Sequence, residues 1–425
     1  MVLNRKTERF SLHEDWAVVV LGFTIIILAL LGAIITPPSF SWKDTSDLSG
    51  KIFSSANLLR LSLQFFLTYL ICLIAAYITN KSVRGAAASF PWIFAITVIA
   101  LVLAGNGTVR ELNLEAVIFS LALGLIISNL FTLPSWVRTA LNAELFVKIG
   151  LVLLGTSVIL GDILKAGSLG LLQALLVVFS VWYFAFFLCK KFKIDDELTM
   201  MISSAVSICG VSAAIATAGA IKGDTKKLSY VISLVLVTAI PMMIIMPYIA
   251  KYFDFPQEVT GAWLGGSIDT TGAVVASGSL VGETALKIST IVKFSQNVLL
   301  GFAAFAISVY WTYTSKGPQQ DVEKPTLNVI WSRFPKFVLG FVAASVLFSF
   351  IPSHEGTAQV KDSLKSLQTL WFVLAFTSIG LETKFSDLFN QSNKRPLICF
   401  LIAQLFNILV TLAIAFVLFG GLFWD

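Results

Sequence analysis

The sequence predicts an all-α polytopic membrane protein, and three observations carry that prediction. Hydrophobic residues make up 57% of the chain and charged residues only 13%, with a mean hydropathy of +0.86; a soluble domain carries about 25% charge. The apolar residues fall in runs of roughly 20, the length a helix needs to span a hydrocarbon layer about 30 Å thick. The short alternating segments of a transmembrane β-barrel do not occur.

Taken in order, the apolar segments are 16–36, 54–79, 87–104, 114–131, 142–161, 168–190, 196–221, 228–250, 257–281, 286–313, 333–351, 364–382 and 396–422. The first is too long for a signal-peptide core and has no small-residue cleavage site, so it reads as a retained helix. The stretch 314–328 is rich in Pro and charge and reads as an extramembrane linker. The sequence thus divides into N-terminal helices over 1–110, a transport core over 111–313, the linker, and the rest of the core over 329–425. A scaffold or a homodimer surface are the two readings of the N-terminal helices.

Net charge is +6, and the basic residues cluster in a subset of loops. That is the positive-inside pattern of a membrane protein rather than a nucleic-acid surface. Arg5, Lys6 and Arg9 place the N-terminus in the cytoplasm. Lys81 and Arg84, Arg138, and Lys190, Lys191 and Lys193 then fall on the same side. Lys222, Lys226 and Lys227 fall outside if 196–221 crosses, and inside if it enters and returns. Lys316, Lys324, Arg333 and Lys336 come inside only if one of 257–281 and 286–313 also fails to cross, and 257–281 is the candidate. Both segments are rich in Gly, Ala, Ser and Thr, so charge placement and composition select the same two. About eleven spanning helices and two broken or re-entrant segments follow.

The two segments also echo each other, "SICGVSAAIATAG" against "SIDTTGAVVASG". A second pair, 151–164 and 372–385, does likewise, with Thr156-Ser157 matching Thr377-Ser378. In the topology above the members of each pair run in opposite directions, as in inverted-repeat transporters.

Irregular backbone survives in a bilayer only where protein buries it or water wets it. A break at Cys209-Gly210-Val211 before Ser212 opens a new half-helix whose free N–H groups and positive dipole end attract an anion. Ser267, Thr270, Thr271 and Gly272 offer the same from the second break. Tight packing is the structural alternative for such small residues. Asp269 is the only acid between Val259 and Gly282. A charge there is costly unless paired, which suits it to carry H⁺ or Na⁺, with a helix N-cap as the bland reading. Lys293 adds positive potential or snorkels to the interface, and Gln296 and Asn297 can line a polar path. Arg60, Lys148, Asp162 and Glu382 sit near segment ends, where solvated charge is expected. Thr156, Ser157, Thr377 and Ser378 are expected to bond back to helix carbonyls.

Enzyme chemistry finds no support: there is no HExxH, no Walker loop and no base near Ser212. The two histidines, His13 and His354, lie outside the apolar segments, which excludes an intramembrane histidine relay. Cys72, Cys189, Cys209 and Cys399 show no paired spacing, so neither a metal site nor a disulfide framework is expected. No organic cofactor is expected; Na⁺ or H⁺ is the candidate coupling ion.

At "ICGVSAAIA" (208–216) and "GGSIDTTGAVVASG" (265–278) the sequence resembles the YeiH-like sulfate exporter family. The likeness extends to 151–167, "IVKFSQNVLL" (291–300) and 376–388. It implies a multi-pass carrier of the bacterial inner membrane that exports sulfate or a small sulfonate. Two positions depart from the family pattern. Asp269-Thr270 stand where a His-acidic pair is common, and Gln296 stands where Lys-x-x-Arg has its arginine. Loss of that cation weakens the case for a strongly charged dianion.

The expectation is a secondary active transporter, exporter or exchanger, of a small anion, coupled to H⁺ or Na⁺. A cation/proton antiporter using Asp269 is the alternative. A channel, a structural membrane protein and an intramembrane enzyme are the rivals from other classes.

Overall fold

The protein is described by a computed structural model covering residues 12–33, 36–111, 115–138, 141–314, 328–351, 355–383 and 394–421. Most of the 314–328 linker, the basic residues Arg5, Lys6, Arg9, Lys316, Lys324 and Lys384, and His354 lie outside these residues. The principal helices are α1 (Glu14–Leu30), α2 (Ser55–Ile78), α3 (Val83–Ala104), α4 (Ala116–Leu130), α5 (Ala143–Leu154), α6 (Leu160–Lys191), α7 (Asp196–Ser204) and α8 (Val211–Ile221). They continue as α9 (Thr225–Tyr252), α10 (Gln257–Ser267), α11 (Thr271–Val281), α12 (Glu283–Thr314), α13 (Asn328–Arg333), α14 (Phe337–Phe350), α15 (Glu355–Glu382) and α16 (Arg395–Phe419). Among the described residues there is no β-strand, and seven helices are long and apolar enough to cross a membrane. Helices α1, α4, α5 and α14 are shorter. The chain is an all-α polytopic membrane protein.

Two compact units form: residues 1–160 with 336–384, and residues 161–335 with 385–425. The boundaries at 160, 335 and 384 differ from the sequence-based divisions at 110, 313 and 328. Contiguous segments need not pack together, and in this chain α14 and α15 join the N-terminal helices.

In the first unit α4 and α15 cross at Gly124 and Gly380. A Cβ at Gly124 would lie 2.6 Å from the Thr377 carbonyl oxygen, and one at Gly380 would lie 2.6 Å from that of Leu121. Ser128 Oγ donates to the carbonyls of Gly380 and Thr383 across the same contact, both at 2.9 Å. Segment five, expected as a helix over 142–161, stops at Leu154 and continues as a 3₁₀ turn over Gly155–Ser157. A Cβ at Gly155 would lie 2.3 Å from the Phe341 carbonyl oxygen, so the turn is seated directly on the α14 backbone. The expected back-bonding is present at three of the four residues: Thr156 Oγ1 donates to Leu153, Thr377 Oγ1 to Val373 and Ser378 Oγ to Leu374. The two members of this echoing pair differ locally, because Thr377 and Ser378 sit in uninterrupted helix. Lys148 is not a solvated end charge. Its ammonium meets Glu14, Asp15 and Glu144 at 3.0–3.3 Å and is only 17% exposed.

In the second unit both anomalous segments are interrupted, and both fold back. The first is α7, a π-turn over Ala205–Cys209, and α8. Its two ends meet. The Asp224 N–H donates to Glu197 Oε2 at 3.1 Å, and Lys227 pairs with Asp195 at 2.7 Å and Glu197 at 3.2 Å. The second is α10, an extended break at Ile268, and α11. Its ends also meet, because the Ala285 N–H donates to Gln257 Oε1 at 3.4 Å and Gly282 packs on the same amide. Both are therefore re-entrant hairpins. An 11-residue arm rises about 16 Å, half of a hydrocarbon layer.

Helix α9 begins just after the first hairpin closes and ends just before the second opens. Its 28 residues make it about 42 Å long, so the hairpin bases stand at opposite ends of α9 and the tips meet between them. Glycine allows the close packing this requires. Cβ atoms at Gly261 and Gly265 would lie 2.8 and 2.5 Å from the α12 carbonyls of Ala285 and Ser289.

Candidate functional site

The two tips touch. Gly210 has φ +60° and ψ −110°, a region open to glycine and strained for other residues. A Cβ there would lie 2.9 Å from Asp269 Cβ and 2.6 Å from Val235 Cγ1. Four helix ends converge at this contact: the carbonyl ends of the first arms, and the amide ends of α8 and α11.

Side chains satisfy the carbonyl ends. Lys293 on α12 donates to the carbonyls of Ile208 and Ile268, each at 2.9 Å, and to Gln296 Oε1 at 2.8 Å. With its oxygen so held, Gln296 turns its amide nitrogen to the carbonyls of Ser207 at 2.9 Å and Gly266 at 3.3 Å. Asn407 on α16 donates to the carbonyls of Val206 at 3.0 Å and Ser267 at 3.2 Å. Thr411 Oγ1 orients Asn407 from one turn on, donating to its Oδ1 at 2.9 Å. Gln404 donates to the Ser267 carbonyl at 2.9 Å and to Met242 Sδ at 3.2 Å. Three consecutive carbonyls in each hairpin, 206–208 and 266–268, thus find donors on helices α12 and α16. Leaving such groups unpaired in a dry interior costs about 1–3 kcal/mol each.

The amide ends are treated differently. Gly210 gives α8 no side-chain cap, so the N–H groups of Val211 and Ser212 have no intrahelical acceptor. Thr270 caps α11 through a bond from the Ala273 N–H at 3.3 Å, which leaves the N–H groups of Thr271 and Gly272. Cys209 and Gly210 are buried, whereas Ser212 is exposed and Val211 and Thr270 to Gly272 are half-buried. Two positive helix ends beside neutralised carbonyl ends make a site suited to an anion.

Asp269 lies at the same contact, 2% exposed, with no partner for Oδ2. The Lys293 ammonium and the Gln404 side chain both act on its carboxylate. Asn297 reaches Thr271 Oγ1 at 3.3 Å. The structure therefore brings together the residues expected from the sequence to bind the anion and the coupling ion: Cys209 to Ser212 at one tip, Ser267 and Asp269 to Gly272 at the other, and Lys293 and Gln296 beside both.

Sequence reasoning passed over Gln404, Asn407 and Thr411. Their signal was readable, since polar residues at spacings of three and four form a stripe along one face of an otherwise apolar helix. Gln173 on α6, which donates to the Ala262 carbonyl at 2.7 Å, was also missed. Cys189 and Cys399 stand with sulfurs 2.9 Å apart as free thiols, a pairing their separation in sequence hides. Among the described residues no group of His, Cys, Asp and Glu could hold a metal ion.

Re-entrant hairpins packed inside a helical bundle define a polytopic membrane protein with an interrupted intramembrane core. The chain belongs to the family described as Conserved hypothetical protein 698, whose model matches residues 88–400. This is the YeiH-like family. A UPF0324 membrane protein of Rhodopirellula baltica is 39% identical over 81% of this chain and 65% of its own length. One from Nitratidesulfovibrio vulgaris is 39% identical over 78% of this chain and 59% of its own. One from Clostridium tetani is 24% identical over 64% and 80%. The chain spans about 60–65% of the first two relatives. No solved structure matches.

Proposed function

We propose that this protein is a secondary active transporter, exporter or exchanger, of a small anion such as sulfate or a sulfonate in the bacterial inner membrane, coupled to H⁺ or Na⁺. One observation carries the reading: at the meeting of the hairpin tips the carbonyl ends are satisfied by side chains, while the amide ends at Val211-Ser212 and Thr271-Gly272 stay open. The anion sits on those amides. Lys293 has its three hydrogens engaged, so it contributes field rather than contact. Asp269 holds the coupling ion. The opposed hairpins act as inverted repeats, and one bundle moves against the other. The chain itself is not an enzyme and needs no organic cofactor. The N-terminus is cytoplasmic, by its basic residues.

The unpartnered Asp269 carboxylate oxygen supports a second reading, a cation/proton antiporter with no bound anion. Counterflow of labelled sulfate and of a panel of sulfonates in proteoliposomes, run beside a Na⁺/H⁺ dye assay, separates the two. The first reading expects anion counterflow that Asp269→Asn uncouples from the ion gradient while anion binding persists. Ion exchange with no anion flux for any of the panel would replace it with the second.

A further inference from the structure

The tips hold a second set of groups that anion binding leaves unused. Ser267 Oγ, Asp269 Oδ2 and Gln404 Oε1 are all buried oxygens without a partner. Their residues are only 1%, 2% and 3% exposed. They also adjoin one another: Gln404 donates to the Ser267 carbonyl at 2.9 Å and its side chain faces the Asp269 carboxylate. Ser267, Gln404 and Asp269 therefore adjoin at one junction, where α16 meets the second hairpin.

Oxygens buried without a hydrogen-bond donor call for a partner, and a cation completes several at once. A proton on Asp269 and the Ser267 hydroxyl hydrogen each serve one acceptor, so protonation is the rival occupant of the junction. An alkali cation serves all three at once, and unwound backbone at a helix break supplies further oxygens of the same kind. Asp269 is the only acid at this junction, and the Lys293 ammonium stands beside it, so a divalent ion would bury excess positive charge.

From this geometry we infer that Ser267, Asp269 and Gln404 form a Na⁺ site behind the second hairpin tip, and that Na⁺ and the transported anion bind cooperatively. The inference rests on the transport reading above and names its coupling ion. Charge explains the cooperativity. Lys293 and Asp269 cancel, so Na⁺ alone or a sulfonate monoanion alone leaves one unbalanced charge in a medium of low dielectric, and together they leave none; for the sulfate dianion Na⁺ lowers the excess from two charges to one. Linkage then requires each to raise the other's affinity by the same factor.

The test uses the purified full-length protein in lipid nanodiscs, with its thermal midpoint followed against NaCl and against choline chloride at equal ionic strength. The expected result is a saturable rise of about 2–5 °C with Na⁺ alone. Asp269→Asn and Gln404→Leu abolish the rise, and Na⁺ tightens sulfate or sulfonate binding by at least about 5-fold. Equal midpoints in Na⁺ and choline overturn the site. So does a full Na⁺ response in Asp269→Asn, or acidification reproducing the rise in choline. Anion binding indifferent to Na⁺ overturns the cooperativity and leaves anion transport standing. A Na⁺ response without binding of any anion in the panel keeps the site and removes the anion reading, which separates the two failures.

Discussion

Gly210 is the residue on which the contact between the tips turns. Its φ of +60° with ψ of −110° ends the π-turn and aims the first amides of α8 away from the arm that precedes them. Any side chain there meets Val235 and Asp269 at under 3 Å. Gly210→Ala should therefore lower stability by about 1–3 kcal/mol through backbone strain alone, with more from the displaced neighbours, and should abolish transport. Gly161→Ala is the matched control, since its Cβ would meet nothing within 4 Å and alanine favours helix by about 1 kcal/mol. Thermal melts of both variants beside the parent check the pair, and a Gly210→Ala midpoint equal to that of the parent would remove Gly210 from the argument. Lys293 illustrates a different logic. Buried with all its hydrogens engaged by Ile208, Ile268 and Gln296, it ties one hairpin to the other. The sequence offered it as a source of positive potential or as a residue snorkelling to the interface. Its spacing from the breaks is not local, so the carbonyls it serves were invisible until the fold placed them.

At the scale of elements, the two hairpins are held by apolar packing and glycine contacts more than by charge at their bases. Lys227 with Asp195 and Glu197 is a partly exposed pair, and such pairs contribute only about 0–1 kcal/mol. The base contacts are informative as geometry. Glu197→Cys with Asp224→Cys, and separately Gln257→Cys with Ala285→Cys, placed in a chain lacking the four native cysteines, should cross-link with a short bis-thiol reagent in native membranes. Broken helices that crossed the bilayer would hold each pair about 30 Å apart and leave it uncross-linked. Much of this level was legible beforehand. Small residues at 203–223 and 260–282 marked weak helices, and the positions of Lys222, Lys226 and Lys227 argued for a return rather than a crossing. The premature end of α5 was not legible. Residues 151–164 are apolar enough to continue, and helix stops at Leu154 because Gly155 seats on the Phe341 backbone, a tertiary contact no local pattern encodes. The polar stripe of α16 was legible and overlooked, because Gln404, Asn407 and Thr411 each look unremarkable in a run of leucines and isoleucines.

On the scale of the whole molecule, the opposed hairpins fix which loops share a side. The first base gathers Lys190, Lys191, Lys193, Lys222, Lys226 and Lys227 around the turns on either side of α7 and α8. The second base stands at the far end of α9 with Lys251, Asp254 and Gln257. Cytoplasmic loops carry the excess of Lys and Arg, so the six-lysine end should face the cytoplasm and the sparse end the opposite compartment. Lys226→Cys should accordingly react with a membrane-impermeant maleimide only in inside-out vesicles, and Asp254→Cys only in right-side-out spheroplasts. Labelling of both from one side would mean that α9 does not cross, and the opposed hairpins would lose their frame. Correct sidedness matters to mechanism as well as to address. On the transport reading proposed above, two hairpins each reaching about half the bilayer depth from its own face would leave a site at mid-depth, which is the condition alternating access demands.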